Sequence, residues 1–340
     1  MQKLIDQVPV ALSKSDQETY KRDGYLHLKG VIKPEEINAL RSSVASQIEN
    51  LAQSETGYDL ESLAKQVWSG KEDIDSGNAD RFDIELYKAM IDHDADARPI
   101  RDPSNSILAE DGMFFYDAAG WRTYSGIRDV AFDSTLPTIC AKLLNTTYLN
   151  FWEDTTFVKT PNTAQRTTFH QDYTYFQIRG QKCCIVWIPL DRATAENGAM
   201  QYVRGSHLWG KTFAPNMFIT QTPLLDAEHP KLPDIENNLC DYDIVTVEAE
   251  PGDIIIHDVM TVHGSGGNKS KTDTRRAMSF RYCGDDIRYF DRPGAIPQPY
   301  IEGNLPDGAV LYGEDYPLVW PKPFPNAKLA SLFANNHGKR

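Results

Sequence analysis

The sequence predicts a mainly β protein with added α: an antiparallel sandwich or barrel of the jelly-roll or cupin type, with N-terminal helices packed outside. Three observations lead there. From about Thr147 the chain breaks into short β-rich runs, at 148–159, 181–190, 199–203, 243–247, 253–257 and 275–283, punctuated by Gly, Pro, Asn and Asp. Earlier in the chain, apolar residues recur at helical spacing instead. Two histidines, His170 and His263, sit on well-separated runs that a double sheet of this kind naturally brings together.

The elements follow in order. Ser15 and Glu18 have the spacing of a capping box and open a short helix that runs to about Arg22. Gly24 leads into the alternating run 25–31, which reads as a strand. Pro34, Glu35 and Glu36 start a second helix, with proline early and acids in the first turn. Ile37, Leu40, Val44, Ile48 and Leu51 form its apolar stripe. Residues 53–111 are polar with weak periodicity and read as helices and loops over a sheet. The aromatic-dense stretches 113–117 and 121–124 read as core or as cover for a pocket. The stretch 209–238 carries Pro215, Pro223, Pro230 and Pro233 and reads as an insertion. Beyond Asp291 the chain is rich in proline and aromatics and is expected to wrap the surface. A single domain would then comprise a helical capping part (1–146), a β core (147–290) and a wrapping tail (291–340).

Composition narrows the partners. A chain of 340 residues can bury a large core. Its 35 basic and 48 acidic residues give a net charge of −13, which argues against nucleic acid or an anionic membrane as the main partner. No apolar run approaches the roughly 18 residues of a spanning helix. The opening residues lack the apolar stretch of a secretory signal. Five cysteines, an odd number with no CxxC pair, read as reduced thiols in a cytoplasm.

The chemistry concentrates in two places. His170 and Asp172 are two residues apart in the run 168–173, read as a strand, where positions i and i+2 share a face. His263 arriving from another strand would complete two imidazoles and one carboxylate. That is the facial triad of non-haem Fe(II) oxygenases, which leaves metal positions open. After His263 comes a loop with turn chemistry, Gly264, Gly266 and Gly267, and then a strand. One face of that strand carries Arg275, Ala277, Ser279 and Arg281; the other carries Arg276, Met278, Phe280 and Tyr282. A carboxylate-bearing co-substrate needs a fixed cation, and arginine supplies a planar two-toothed fork. The small Ala277 and Ser279 leave room beside Arg275. His257 shares parity with His263 and reads as a hydrogen-bonding neighbour of the site. His207, in a Gly-Ser-His turn, reads as structural. Arg281 reads as meeting an anionic substrate group or pairing with an acid. Phe169, Tyr173, Tyr175 and Phe176 flank the first site, and those of suitable parity would line it.

The sequence resembles the phytanoyl-CoA dioxygenase-like family of Fe(II)/2-oxoglutarate oxygenases. The matching stretches, in order, are Phe157-Val158-Lys159-Thr160-Pro161, His170-Gln171-Asp172, Trp187-Ile188-Pro189-Leu190-Asp191, Glu196-Asn197-Gly198-Ala199-Met200, Gly205-Ser206-His207, Pro251-Gly252-Asp253, His263-Gly264-Ser265-Gly266 with Asn268, and Arg275-Arg276-Ala277. The resemblance implies a double-stranded β-helix core with Fe(II) on His170, Asp172 and His263. It implies 2-oxoglutarate held by Arg275 with Ser265 and Trp187 lining its pocket, and O2 as the other co-substrate. Arg276 takes Arg275's place if the register slips by one. The implied reaction oxidises a C–H bond of a small organic molecule and releases succinate and CO2. Asp172, a position that halogenating relatives lack, favours hydroxylation or a related oxidation. The aromatic supply suits a hydrophobic or quaternary ammonium substrate. A cupin-like metal enzyme that does not use 2-oxoglutarate, and a non-catalytic small-molecule binding protein, are the other readings.

Overall fold

The computed structural model describes residues 12–60, 112–224, 228–295, 298–301 and 305–322. Most of the stretch 53–111 therefore lies outside the described residues, as does the end of the tail.

The first helix, α1 (Lys14–Asp23), begins earlier than the sequence suggested. Its cap is Ser13, whose hydroxyl accepts from the Asp16 N–H at 3.0 Å while the Asp16 carboxylate accepts from the Ser13 N–H at 2.8 Å. The same three-residue reciprocity is offered by Ser15 and Glu18, and the chain uses the earlier pair. Helix α2 (Pro34–Glu49) starts at its proline, and Ile37, Leu40 and Val44 of the expected stripe are buried. Helices α3 (Ser125–Asp133) and α4 (Leu136–Leu143) follow.

Among the described residues the strands are β1 (Tyr25–Leu28), β2 (Tyr58–Asp59), β3 (Phe114–Ala118), β4 (Leu149–Lys159), β5 (Thr167–His170), β6 (Ile178–Arg179), β7 (Cys183–Pro189), β8 (Met200–Val203), β9 (Ile244–Val247), β10 (Ile254–Asp258), β11 (His263–Ser265), β12 (Arg275–Cys283), β13 (Arg288–Tyr289) and β14 (Leu318–Trp320). The larger sheet runs β1-β10-β7-β12-β4-β3-β2, with β14 added beside β4; the smaller runs β5-β11-β8-β9. All these strand pairs are antiparallel. This is the jelly-roll core expected, with the helices outside it.

The period-two pattern of β12 falls as read. Met278, Phe280 and Tyr282 join Phe151, Val158, Val186 and Ile188 in a layer that packs on Leu40, Val44, Ile127 and Ile139 of the helices. The alternate residue Ala277 turns inward, with Trp187 and Ile255, onto Met200, Tyr202 and Val247 of the smaller sheet. Arg275, Ser279 and Arg281 share that inner face and line a cavity between the sheets. Helices thus cover one side of the larger sheet, and the site occupies the other.

Candidate active site

His170 ends β5, His263 begins β11, and the two are cross-strand partners. Their ring centroids lie 4.3 Å apart. Both rings are held alike. Nδ1 of each faces the carbonyl oxygen two residues back, Thr168 at 2.7 Å and Thr261 at 2.9 Å. A carbonyl only accepts, so each Nδ1 carries the proton and each Nε2 keeps a lone pair. Those Nε2 atoms lie 3.5 and 3.8 Å from the Asp172 carboxylate. One donor atom from each of the three side chains falls within 4.8 Å of the others, and all three residues are buried.

Asp172 arrives by a route the sequence did not show. Strand β5 stops at His170, and Asp172 has helical angles (φ −72°, ψ −28°) at the head of a short turn, Tyr173–Tyr175. The carboxylate meets the imidazole through this turn and not through strand parity. Between them, the Gln171 side chain stands in for a sheet partner. Its amide donates to Lys211 and Met260 carbonyls at 3.2 and 3.0 Å and accepts from the Phe213 N–H at 3.1 Å.

His257 borders the carboxylate, with Nε2 3.4 Å from Asp172 Oδ2 and Nδ1 3.3 Å from the Tyr202 hydroxyl. It stands on β10 of the larger sheet, so shared parity with His263 is not what aligns them. His207 is structural: its Nε2 lies 3.1 Å from the Lys21 carbonyl oxygen.

Burial alone would push Asp172 up. The positive charge His263 carries when protonated in acid, with the contacts from His170 and His257, overrides it and holds the carboxyl well below the usual range. Burial, then repulsion from His257 and His170, holds His263 well below the ordinary 6.5. Burial lowers His257 too. An ionised Asp172 beside a neutral His263 is the protonation state that metal binding requires.

The Arg275 guanidinium is 2% exposed, and its Nε has no hydrogen-bond partner among the described residues. It lies 6.0 Å from the centroid of the Trp187 ring, and Ser265 lines the same cavity. Burial pushes it down to about 10, so it remains a cation at neutral pH. Gly198 makes room beside it: at φ +91°, a Cβ there would sit 2.8 Å from the Gly266 oxygen and 3.5 Å from Arg275 Nη2. Arg276 points the other way. Its Nε and Nη2 donate to Asp191 at 2.8 Å each. The register thus turns Arg275 inward and leaves Arg276 paired.

A second, outer cavity of about 100 Å³ adjoins this inner one, and Asp172, Phe218 and Arg281 line both. Tyr116, Tyr175 and Phe176 line it, as the aromatic stretches allowed, whereas Phe115 and Trp121 are core under the helices. Two further segments escaped the sequence reading. Phe218, from the predicted insertion, stands with its ring 5.1 Å from His170. Its backbone is left-handed (φ +60°), and its carbonyl accepts from the Thr168 N–H at 2.6 Å and hydroxyl at 2.9 Å. Strain of this kind clusters at ligand sites. Gln298 and Tyr300 come from the tail, which also places β14 on β4. The tail is thus part of the site and the sheet, and not only a surface wrap. Proline-rich, aperiodic sequence carries no parity from which either contribution is legible.

Two neutral nitrogens and one carboxylate suit Fe(II), and a buried unpaired guanidinium suits the carboxylate of a keto acid. Fold and donor set together define a class, the jelly-roll oxygenases with one iron. Known proteins narrow it. The family model described as Phytanoyl-CoA dioxygenase (PhyH) matches residues 20–277. A probable phytanoyl-CoA dioxygenase of Caenorhabditis elegans is 25% identical over 310 residues, covering 86% of this chain and 82% of that one. The crystal structure of SnoK, a non-heme alpha ketoglutarate dependent carbocyclase from nogalamycin biosynthesis, superposes with a TM-score of 0.60 at 21% identity, over 91% of this chain and 97% of that one. The epimerase SnoN, solved with Fe3+, alpha ketoglutarate and nogalamycin RO, gives 0.56 at 20% identity over 90% and 98%. These two likenesses show a shared fold. The chain belongs to the phytanoyl-CoA dioxygenase family, within the Fe/2-oxoglutarate-dependent dioxygenases.

Proposed function

We propose that the protein hydroxylates, or otherwise oxidises at a C–H bond, a small organic molecule, with 2-oxoglutarate released as succinate and CO2. The observation that carries this is the Asp172 carboxylate 3.5 and 3.8 Å from two Nε2 atoms, with the unpaired Arg275 on the same inner face. His170, Asp172 and His263 would hold the iron. Arg275 would grip the distal carboxylate of 2-oxoglutarate, with Ser265 and Trp187 beside it. When bound, the iron supplies the O2-dependent oxidation that the side chains themselves cannot perform.

The chain's own part is placement. The Thr168 and Thr261 carbonyls fix both imidazole tautomers. His257 steadies one Asp172 oxygen. The inner cavity lies between the two sheets, and the outer cavity would orient the substrate across Asp172. The odd number of cysteines and the lack of a CxxC pair support a reducing cytoplasm. Among the described residues no helix is long and apolar enough to cross a membrane.

The test is succinate formation by the purified full chain with Fe(II), ascorbate, 2-oxoglutarate and a panel of small molecules. Succinate above the enzyme-free rate, lost in His170→Ala, supports the reading. Metal binding with no 2-oxoglutarate binding, unaffected by Arg275→Gln, would instead favour a cupin-like enzyme of other chemistry.

A further inference from the structure

The outer cavity is built around a flaw in strand pairing. Strands β4 and β12 pair Phe280 with Asp154 and then Tyr282 with Phe151, so Trp152 and Glu153 together face the single residue Arg281. This is a β-bulge with its extra residue on β4. Strict alternation would send only one of the two inward. Here both line the outer cavity, Trp152 as an aromatic wall and Glu153 as an acid. Bulges beside active sites commonly re-aim side chains in this way.

The acid and the base are not equally provided for. Glu153 Oε2 accepts from the Tyr300 hydroxyl and, at 3.3 Å, from Gln298. Arg281 is 4% exposed and donates from Nη1 to the Thr155 hydroxyl at 2.6 Å. The Glu153 carboxylate is 3.8 Å from it, beyond hydrogen-bond reach. Arg281 Nε has no partner among the described residues. An unmatched Nε does not by itself mark a ligand site, since Arg122 and Arg166 leave theirs unmatched while paired with Asp315 and Glu236; what sets Arg281 apart is where its spare donor sits. Arg281 lines both cavities and lies 5.2 Å from the Phe176 ring. Around it the walls are largely aromatic, with Tyr116, Trp152, Tyr175, Phe176 and Phe218, and Glu55 is a further acid of the cavity beside Glu153 and Asp172.

We propose that Arg281 recognises the substrate, and that the substrate carries a carboxylate on a small, largely apolar body. The planar fork matches a carboxylate, and the aromatic walls take the body. With the acid group on Arg281, the rest of the molecule lies against the face of the cavity formed by Asp172 and Phe218. The inference deepens the oxygenase reading and rests on it for turnover; binding can be tested apart.

The experiment titrates the full chain calorimetrically, at saturating 2-oxoglutarate, with benzoate, phenylacetate and cyclohexanecarboxylate. Each acid is compared with its primary amide and with the amine of the same skeleton. The acids should bind about tenfold or more tightly than the amides. Arg281→Gln should erase that preference, and Arg281→Lys should restore part of it. Equal binding of acids and amides overturns the proposal, as does failure of every acid to bind at millimolar concentration. Tighter binding of the amines would overturn it in favour of Glu153 as the selecting group. Acids that compete with 2-oxoglutarate would be sitting on Arg275, which also overturns it. The wild-type comparison decides even if Arg281→Gln fails to fold. A wild-type chain that does not bind 2-oxoglutarate would count against the oxygenase reading, and the acid-over-amide ratio would still judge Arg281.

Discussion

The two faces of the larger sheet come from the same strands and are finished to different degrees. Outward, Phe151, Val158, Val186, Ile188, Met278 and Phe280 meet the helices in one apolar layer, and the charge at its rim, Arg276, is tied by two 2.8 Å hydrogen bonds to Asp191. Inward, the alternate positions of β12 carry Arg275 and Arg281, each with a buried Nε that no described residue accepts from. Buried donors are normally paired. A face that leaves two cationic groups incomplete is one that a ligand completes, whereas the atoms left unmatched in the helix-covered layer, the Tyr20 hydroxyl and the Trp121 indole N–H, are neutral.

That contrast sets out what should break each side. Asp172→Ala removes one of three convergent donors, and succinate formation should fall roughly a thousandfold, with iron content dropping to background by metal analysis. Phe280→Ala strikes the outer layer and should cost about 3–5 kcal/mol in denaturant unfolding. It should leave the 2-oxoglutarate affinity of the folded fraction unchanged. Arg275→Gln should do the reverse, weakening 2-oxoglutarate binding by roughly 10–100-fold, the loss of charge-assisted hydrogen bonds, at little cost to stability.

Acid should act on the inner face first. His257 and His263 titrate below the ordinary 6.5 in the folded chain. Between that lowered value and 6.5 the unfolded chain binds more protons, so stability rises with pH across this window. The metal-free protein should therefore hold its unfolding midpoint above pH 6.5 and lose stability as pH falls below it. In His263→Gln the slope should shrink. The smallest effect belongs to Arg276→Gln, about 0.5–1 kcal/mol because the pair is partly solvated. If that variant, and not Arg275→Gln, weakens 2-oxoglutarate binding, the two faces have been assigned the wrong way round.

Much of this division was legible in the sequence because it is periodic. The alternation of Arg275, Ala277, Ser279 and Arg281 with Met278, Phe280 and Tyr282 announced both faces of β12, and the helical stripe of Ile37, Leu40 and Val44 announced what covers the outer one. The pairing of His170 with His263 was legible as chemistry, since two imidazoles and a carboxylate have few other reasons to converge. What failed was whatever breaks periodicity. Parity was credited with bringing Asp172 to His170, and a turn does it. The bulge at Trp152 and Glu153 leaves no mark in a period-two pattern, because an extra residue looks like any other. Phe218 and Tyr300 sit in segments whose prolines deny them any period at all, yet they close the cavity.

The tethers on the two imidazoles reach further than orientation. Each ring is tied to its own chain two residues back, at Thr168 and Thr261, so neither needs an ion to find its pose. A face arranged this way is ready before loading, unlike small domains that fold only around their metal. Stripping iron with a chelator should therefore leave the far-ultraviolet circular dichroism of the chain unchanged.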